Sequence, residues 1–141
     1  MSKQQGFTLM EIMVAIAIIS ILSAIGIPSY QGYIQKAALT DILQTIVPYK
    51  SGIELCSFET EDFKGCNTGT TSIPKGHNSR YIESILVKDG EITVKGQQSL
   101  KNLSVTLKPT QNIQTGTIKW NNKCESANNS LKSRCQEIFE F

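Results

Sequence analysis

Histidine is almost missing from this chain of 141 residues, with His77 the one imidazole. A zinc site rich in histidine is therefore excluded. The four cysteines, Cys56, Cys66, Cys124 and Cys135, are spaced too widely for the CxxC pairs of a structural zinc site. His77 stands in a polar stretch with no acid or nucleophile pattern around it, so no catalytic triad is legible, and neither enzymatic activity, metal nor cofactor is expected. An excess of one charge is lacking too: 14 basic residues face 12 acidic ones, a net charge of +2 that does not call for a nucleic-acid partner. Internal repeats and low-complexity tracts are absent, which excludes a solenoid.

What the chain does have is an uneven distribution of polarity. Residues 7–27 are almost wholly apolar and carry a single charge, Glu11. As a helix, 21 residues at about 1.5 Å each extend roughly 30 Å, the thickness of a bilayer's hydrocarbon core. The polar stretch before this run contains Lys3, and the next basic residue after it is Lys36. The positive-inside rule then puts residues 1–6 in the cytoplasm and residues 29–141 outside. All four cysteines fall in the outer part, where an oxidising compartment permits disulfides. Four cysteines allow three pairings. The simplest is two short loops, Cys56–Cys66 and Cys124–Cys135, each worth about 2–3 kcal/mol by chain entropy.

Pro28 interrupts the apolar run, since proline lacks an N–H and crowds the preceding turn. Apolar residues then return at steps of three and four: Ile34, Ala38, Ile42, Ile46, Tyr49, Ile53 and Cys56. Lys36, Asp41, Gln44, Lys50 and Glu54 lie off that stripe. The spacing predicts one long helix to about Ser57, kinked near Gly26–Pro28 and slightly bent at Pro48. Residues 58–79, rich in Gly, Asn, Thr and Ser, read as a loop. Strands are predicted over 80–88 and 91–95 around the hairpin signal Asp89-Gly90, and over 104–108 and 117–121, with Trp120 in the core; the second cysteine pair closes a loop near the end. The fold class is α+β, a long N-terminal helix packed on an antiparallel sheet of about four strands.

Glu11 is the residue that most needs a reason. A carboxylate in hydrocarbon costs a few kcal/mol, and intramembrane ionisable groups are functional candidates. Phe7 lies one helical turn before it. Cleavage between Gly6 and Phe7 would create an α-amine there, the nearest cation for Glu11, from the same chain or from an adjacent copy. Pairing removes most of the penalty of a buried charge and fixes axial register between copies. Small residues at Ala24-Ile25-Gly26 also fit an ordinary signal-peptide cleavage site, which would make the chain a secreted binding protein, but Glu11 and the length of the run depart from such signals.

The segment Gly6-Phe7-Thr8-Leu9-Met10-Glu11 resembles the processing motif of prepilins. Together with the apolar run, Ile27-Pro28-Ser29-Tyr30 and the two late cysteine pairs, it makes the chain similar to the disulfide-bonded type IVa major pilins of Gram-negative bacteria. The resemblance implies a leader over 1–6, a transmembrane and filament-core helix over 7–28, and a periplasmic, then extracellular, globular domain over 29–141. It further implies a prepilin peptidase that cuts after Gly6 and N-methylates Phe7, and subunit contacts through Phe7 and Glu11. It implies as well a helix weak point at Gly26 and Pro28 that loses regularity on assembly. The partners implied are copies of the chain, an inner-membrane assembly platform and its ATPase, with residence in the inner membrane before polymerisation. The filament would serve adhesion, motility or DNA uptake. A minor pilin or a type II secretion pseudopilin is the nearest alternative, although the 89–95 hairpin has too few acids for the calcium loop of pseudopilins. DNA is a further candidate partner through Lys75, Lys88, Lys95, Lys101, Lys108, Lys119 and Lys123, set against the ordinary reading of scattered lysines as a solvated face.

Overall fold

The computed structural model describes Lys3, residues 5–70 and residues 72–140; Met1, Ser2 and Gln4 of the expected leader, Thr71 of the expected loop and Phe141 lie outside the described residues. The fold has two compact units, Met1–Ile34 and Gln35–Phe141.

In the first unit, helix α1 begins at Leu9; it continues as one element to Thr45 in the second unit. Every described residue from Leu9 to Gln31 is exposed. The sequence predicts an interruption at Pro28, yet the helical hydrogen bonding continues with Pro28 inside it. The pyrrolidine ring removes one donor, the one owed to the Ala24 carbonyl, and the bonds on either side persist.

The second unit holds the last turns of α1, helix α2 (Val47–Thr60), strands β1 (Ile82–Lys88), β2 (Glu91–Gly96), β3 (Ser104–Gln111) and β4 (Ile118–Glu125), and helix α3 (Asn129–Ile138). The four strands form one antiparallel sheet in sequence order. Of the apolar stripe predicted from spacing, Ala38, Ile42, Ile46, Tyr49, Ile53 and Cys56 are buried on α1 and α2, joined by Leu39, while Ile34 at its start is only half-buried. They form one core with the inward residues of the sheet, among them Ile85, Val87, Ile92, Val94, Val105 and Leu107.

Three expectations about boundaries are corrected. A turn at Ile46 separates α1 from α2, and Pro48 sits at the start of α2, where a missing N–H has no intrahelical partner to lose. Two bonds still cross the turn, from Ile46 N to the Ile42 carbonyl and from Lys50 N to the Ile46 carbonyl. β3 runs past Lys108 through the buried Pro109 to Gln111. β2 pairs only with Ser104 to Leu107 of β3, so the Pro109 segment is an edge on that side, where a strand tolerates proline. β4 extends to Glu125 and carries Cys124 opposite Val105.

The Cys124–Cys135 bridge does not close a plain loop, because Cys135 lies on α3, which the sequence reading missed. The legible signal was Asn128, whose side chain accepts from the backbone N–H of Ser130 and Leu131 at 3.0 and 3.2 Å; asparagine is a strong N-cap. Leu131, Cys135 and Ile138 follow at helical spacing, and the first two are buried.

The β1–β2 hairpin turns at Asp89-Gly90, both with positive φ (48° and 80°), as a tight primed turn requires. This turn also secures the loop that carries Cys66. Asp89 Oδ1 accepts from Gly65 N at 2.9 Å, and Gly90 N donates to the Cys66 carbonyl at 3.0 Å. On α2, Gly52 allows the 72–73 backbone to approach, since a Cβ there would stand 2.2 Å from the Ser72 carbonyl oxygen.

Candidate processing and assembly site

The first unit gathers the residues singled out at the N-terminus. Gly6 and Phe7 precede the helix and are exposed, Phe7 by 86%. Nothing lies within 4 Å of a Cβ built on Gly6. The Gly6–Phe7 bond is thus on an open, non-helical segment, the condition for a peptidase to reach it.

Glu11 sits in the first turn of α1. Its Oε2 accepts from the backbone N–H of Thr8 at 3.0 Å, and Glu11 N donates to Thr8 Oγ1 at 3.2 Å. This is a reciprocal capping box, which satisfies two of the four N–H groups that a helix start leaves without partners. The pattern Thr8-x-x-Glu11 was visible in the sequence and passed unread beside the charge argument. The carboxylate also lies at the positive end of the helix dipole. An ionised carboxylate offers about four acceptor sites, so the cap leaves room for a cation.

Farther along the span, the polar side chains turn back on their own backbone. Ser20 Oγ donates to the Ile16 carbonyl at 2.7 Å and Ser29 Oγ to the Ile25 carbonyl at 3.3 Å. Such internal satisfaction is what hydrocarbon surroundings demand. Gly26 and Pro28 lie within α1, several turns from Glu11, and open space surrounds Gly26. The helix is long and apolar enough to cross a membrane.

The second unit holds the disulfides, Cys56–Cys66 and Cys124–Cys135, with Cα separations of 6.0 and 6.1 Å. No group of three or more His, Cys, Asp or Glu that could hold a metal is found among the described residues. His77 is exposed.

Trp120 is not fully in the core but half-buried at its rim. Its indole N–H donates to Glu54 Oε1 at 2.9 Å, and the Lys50 ammonium lies 5.4 Å from the ring centroid. Lys50 and Glu54, which the spacing puts off the apolar stripe, are thereby half-covered. Burial pushes the Lys50 ammonium below the usual lysine range, against the opposing pull of Glu54. Nothing in local spacing announces this cluster, because Trp120 comes from a strand 66 residues away from Glu54.

The geometry defines a class: a chain with an exposed apolar N-terminal helix, an open non-helical segment ahead of it and a disulfide-bonded α+β domain. The comparisons narrow it. Residues 1–27 match the family model described as the prokaryotic N-terminal methylation motif. The chain is 44% identical to prepilin peptidase-dependent protein D of Escherichia coli K12, over 100% of this chain and 97% of that protein. It is 32% identical to a fimbrial protein of Neisseria meningitidis serogroup B, over 83% of this chain and 71% of that protein. The solution structure of the major type IV pilin PpdD from enterohemorrhagic E. coli superposes with a TM-score of 0.68 at 36% identity, covering 77% of this chain and 83% of that one. The chain belongs to the type IV pilin family.

Proposed function

We propose that the chain is the structural subunit of a type IV pilus, cut after Gly6, N-methylated on Phe7 and polymerised through its N-terminal helix. The observation that carries this reading is Glu11, a carboxylate at the start of an otherwise apolar, exposed span, whose hydrogen-bonded partner is the Thr8 N–H of its own chain. Cleavage supplies an amine at Phe7, and methylation leaves it charged. In a bundle of such helices the amine of one copy meets the carboxylate of the next, because an unpaired charge in the apolar core is costly.

A second observation supports assembly along the helix. In Gln35–Phe141, the exposed side of α1 and α2 carries Ala37, Thr40, Gln44, Val47, Ser51, Leu55 and Phe58, stepping by three or four and without a charge. Val47, Leu55 and Phe58 are 54%, 51% and 66% exposed. An uncharged stripe with large apolar members fits the helix of another copy. Before assembly, residues 7–28 anchor the subunit in the inner membrane and residues 29–141 lie outside. The peptidase, the assembly platform and its ATPase are the implied partners, and the role is mechanical, not enzymatic.

The test is the variant Glu11→Ala. Mass spectrometry of its N-terminus is expected to give N-methyl-Phe7, as in the parent, while sheared surface filaments fall at least about tenfold, the size of effect expected for a lost buried pair. Normal filament density in the Glu11→Ala variant sinks the pairing argument. A mature N-terminus at Ile27 sinks the whole reading in favour of a secreted protein with a cleaved signal. Low copy number in the sheared filaments assigns the chain to the minor pilins.

A further inference from the structure

The strands of the sheet do not end together. β2 and β3 pair only as far as Ile92 with Leu107. β3 and β4 stay paired for four more steps, from Lys108 with Asn121 to Gln111 with Ile118. At about 3.3 Å per residue the β3–β4 hairpin reaches roughly 13 Å past the last β2–β3 pair. That is the end of the unit where α2 finishes. Trp120 of β4 bonds to Glu54 of α2, and the neighbouring Asp89-Gly90 turn bonds to Gly65 and Cys66, the latter bridged to Cys56 of α2. The chain enters the unit at the other end, where Gln35 accepts from Arg134 of α3. The hairpin tip therefore lies away from the point at which the apolar span joins the unit, and lipid is not what covers it.

The tip is braced by its own hydrogen bonds. Asn112 N donates to the Thr117 carbonyl at 2.9 Å, Gly116 N to the Asn112 carbonyl at 2.8 Å, and Gln114 N to Asn112 Oδ1 at 2.9 Å. The Thr115 and Thr117 hydroxyls lie 2.7 Å apart. Turn chemistry accounts for Asn112 and for Gly116 at φ 71°, and asks for nothing apolar between them. Yet Ile113 stands there, 98% exposed against 86% for Phe7. No residue from Pro109 to Ile118 carries a charge. A bare isoleucine on a braced, uncharged mount fits the anchor of a protein interface, because its burial costs little further ordering.

The symmetry of a filament says what the anchor meets. A patch that pairs with itself closes a dimer, whereas an open helical polymer joins two unlike patches of the same chain. Among the described residues of Gln35–Phe141, the exposed large apolar side chains are Val47, Leu55 and Phe58 on the α1–α2 stripe, Leu86 and Ile113. Leu86 shares its face of the sheet with Lys88 and Lys95. The tip matches the stripe in carrying no charge, so no ion loses its water when the two meet. Copies paired through Phe7 and Glu11 are offset by about 6 Å per step, four residues at 1.5 Å each, so a tip meets the flank of another copy and not its tip. We propose that Ile113, at the tip of the β3–β4 hairpin, seats against Val47, Ser51, Leu55 and Phe58 of another copy in the filament. The inference rests on the polymer reading and deepens it by naming the patch that receives the stripe.

The test uses the full chain in cells that assemble the filament. With Ile113 replaced by the photoreactive p-benzoylphenylalanine, irradiation of sheared filaments is expected to join position 113 to residues 37–64 of a second copy, read by mass spectrometry after reduction. Ile113→Asp is expected to keep the parent's denaturant midpoint and its N-methyl-Phe7, because the side chain is bare in the single subunit. Its sheared filaments fall at least about tenfold, the scale of a lost interface anchor. Ile113→Leu, which keeps the apolar volume, stays within about twofold of the parent. Cross-links confined to other peptides or to other proteins, or Ile113→Asp filaments at parental density, overturn this inference alone. Parental density with loss of surface attachment overturns it too, and makes the tip a receptor contact. A parent that yields no filaments overturns the polymer reading and this inference with it.

Discussion

The two compact units treat apolar side chains in opposite ways. In Met1–Ile34, isoleucines such as Ile16, Ile19 and Ile21 are more than half exposed; in Gln35–Phe141, Ile42, Ile46, Ile53, Ile82 and Ile92 are sealed from solvent. The residue type is the same, and the energetics are not. Burial of an isoleucine yields about 1.5–3 kcal/mol to the domain that buries it. An exposed run of isoleucines yields nothing to its own chain, and becomes favourable only against lipid or another protein. Apolar content thus measures foldability in one unit and affinity for an outside partner in the other.

The sharpest way to break that comparison is to truncate one isoleucine in each unit. Ile53→Ala is expected to cost about 2–5 kcal/mol of unfolding free energy, the range for a large-to-small change in a packed core. Ile16→Ala should shift the same denaturant curve by less than about 0.5 kcal/mol. Similar losses from the two variants in detergent would show that the units do not differ as described.

A smaller effect is expected from the covalent staples, both of which lie in the second unit. Replacing Cys124 and Cys135 together by serine should lower stability by about 2–3 kcal/mol, the chain-entropy value for a loop of this length. The far-ultraviolet signal of the N-terminal helix should be unchanged. Unaltered stability in the double variant would mean that α3 is held by Leu131 and Phe139 alone, both of which are buried.

The smallest effect concerns pH. Tyr49 is buried and donates from its hydroxyl to the Lys75 carbonyl oxygen, and burial pushes its pKa above 10.0. Its stabilising contribution is complete below the unfolded value and is lost as pH rises through the higher folded value. Lys50 has the opposite sign, because burial lowers its pKa from 10.5. Tyr49→Phe isolates the tyrosine: it should cost about 1 kcal/mol near neutrality and flatten the loss of stability above pH about 10. Parallel alkaline profiles for the parent and Tyr49→Phe would remove Tyr49 from the account.

Much of this fold was legible because its signals are local. The 3–4 spacing from Ile34 to Cys56 named most of the buried face of α1 and α2, with Ile34 only half-buried and Leu39 buried beside the stripe, and Asp89-Gly90 named a turn that only positive φ satisfies. What escaped the reading was of two kinds. Some signals were local and overlooked: Thr8-x-x-Glu11 as a capping box, and Asn128 as the cap of α3. Others were not local at all. Pro109 ends a strand by propensity, and β3 continues through it because β2 stops short on that side. The Trp120–Glu54 bond and the reach of the β3–β4 hairpin both depend on which strands become neighbours.

By itself the sequence determined the periodic and punctuated features: an apolar span with one acid near its start, a Gly6-Phe7 motif ahead of it, an amphipathic continuation and a glycine-turn hairpin. These follow from backbone sterics and residue spacing, which act over a few residues. Tertiary structure alone decided the register of the sheet, and with it the reach of the hairpin that carries Ile113 past β2 and the seating of Trp120 between Lys50 and Glu54. Register is set by the fit of a whole hydrophobic face, and a shift of one residue would send every side chain of a strand to the other side.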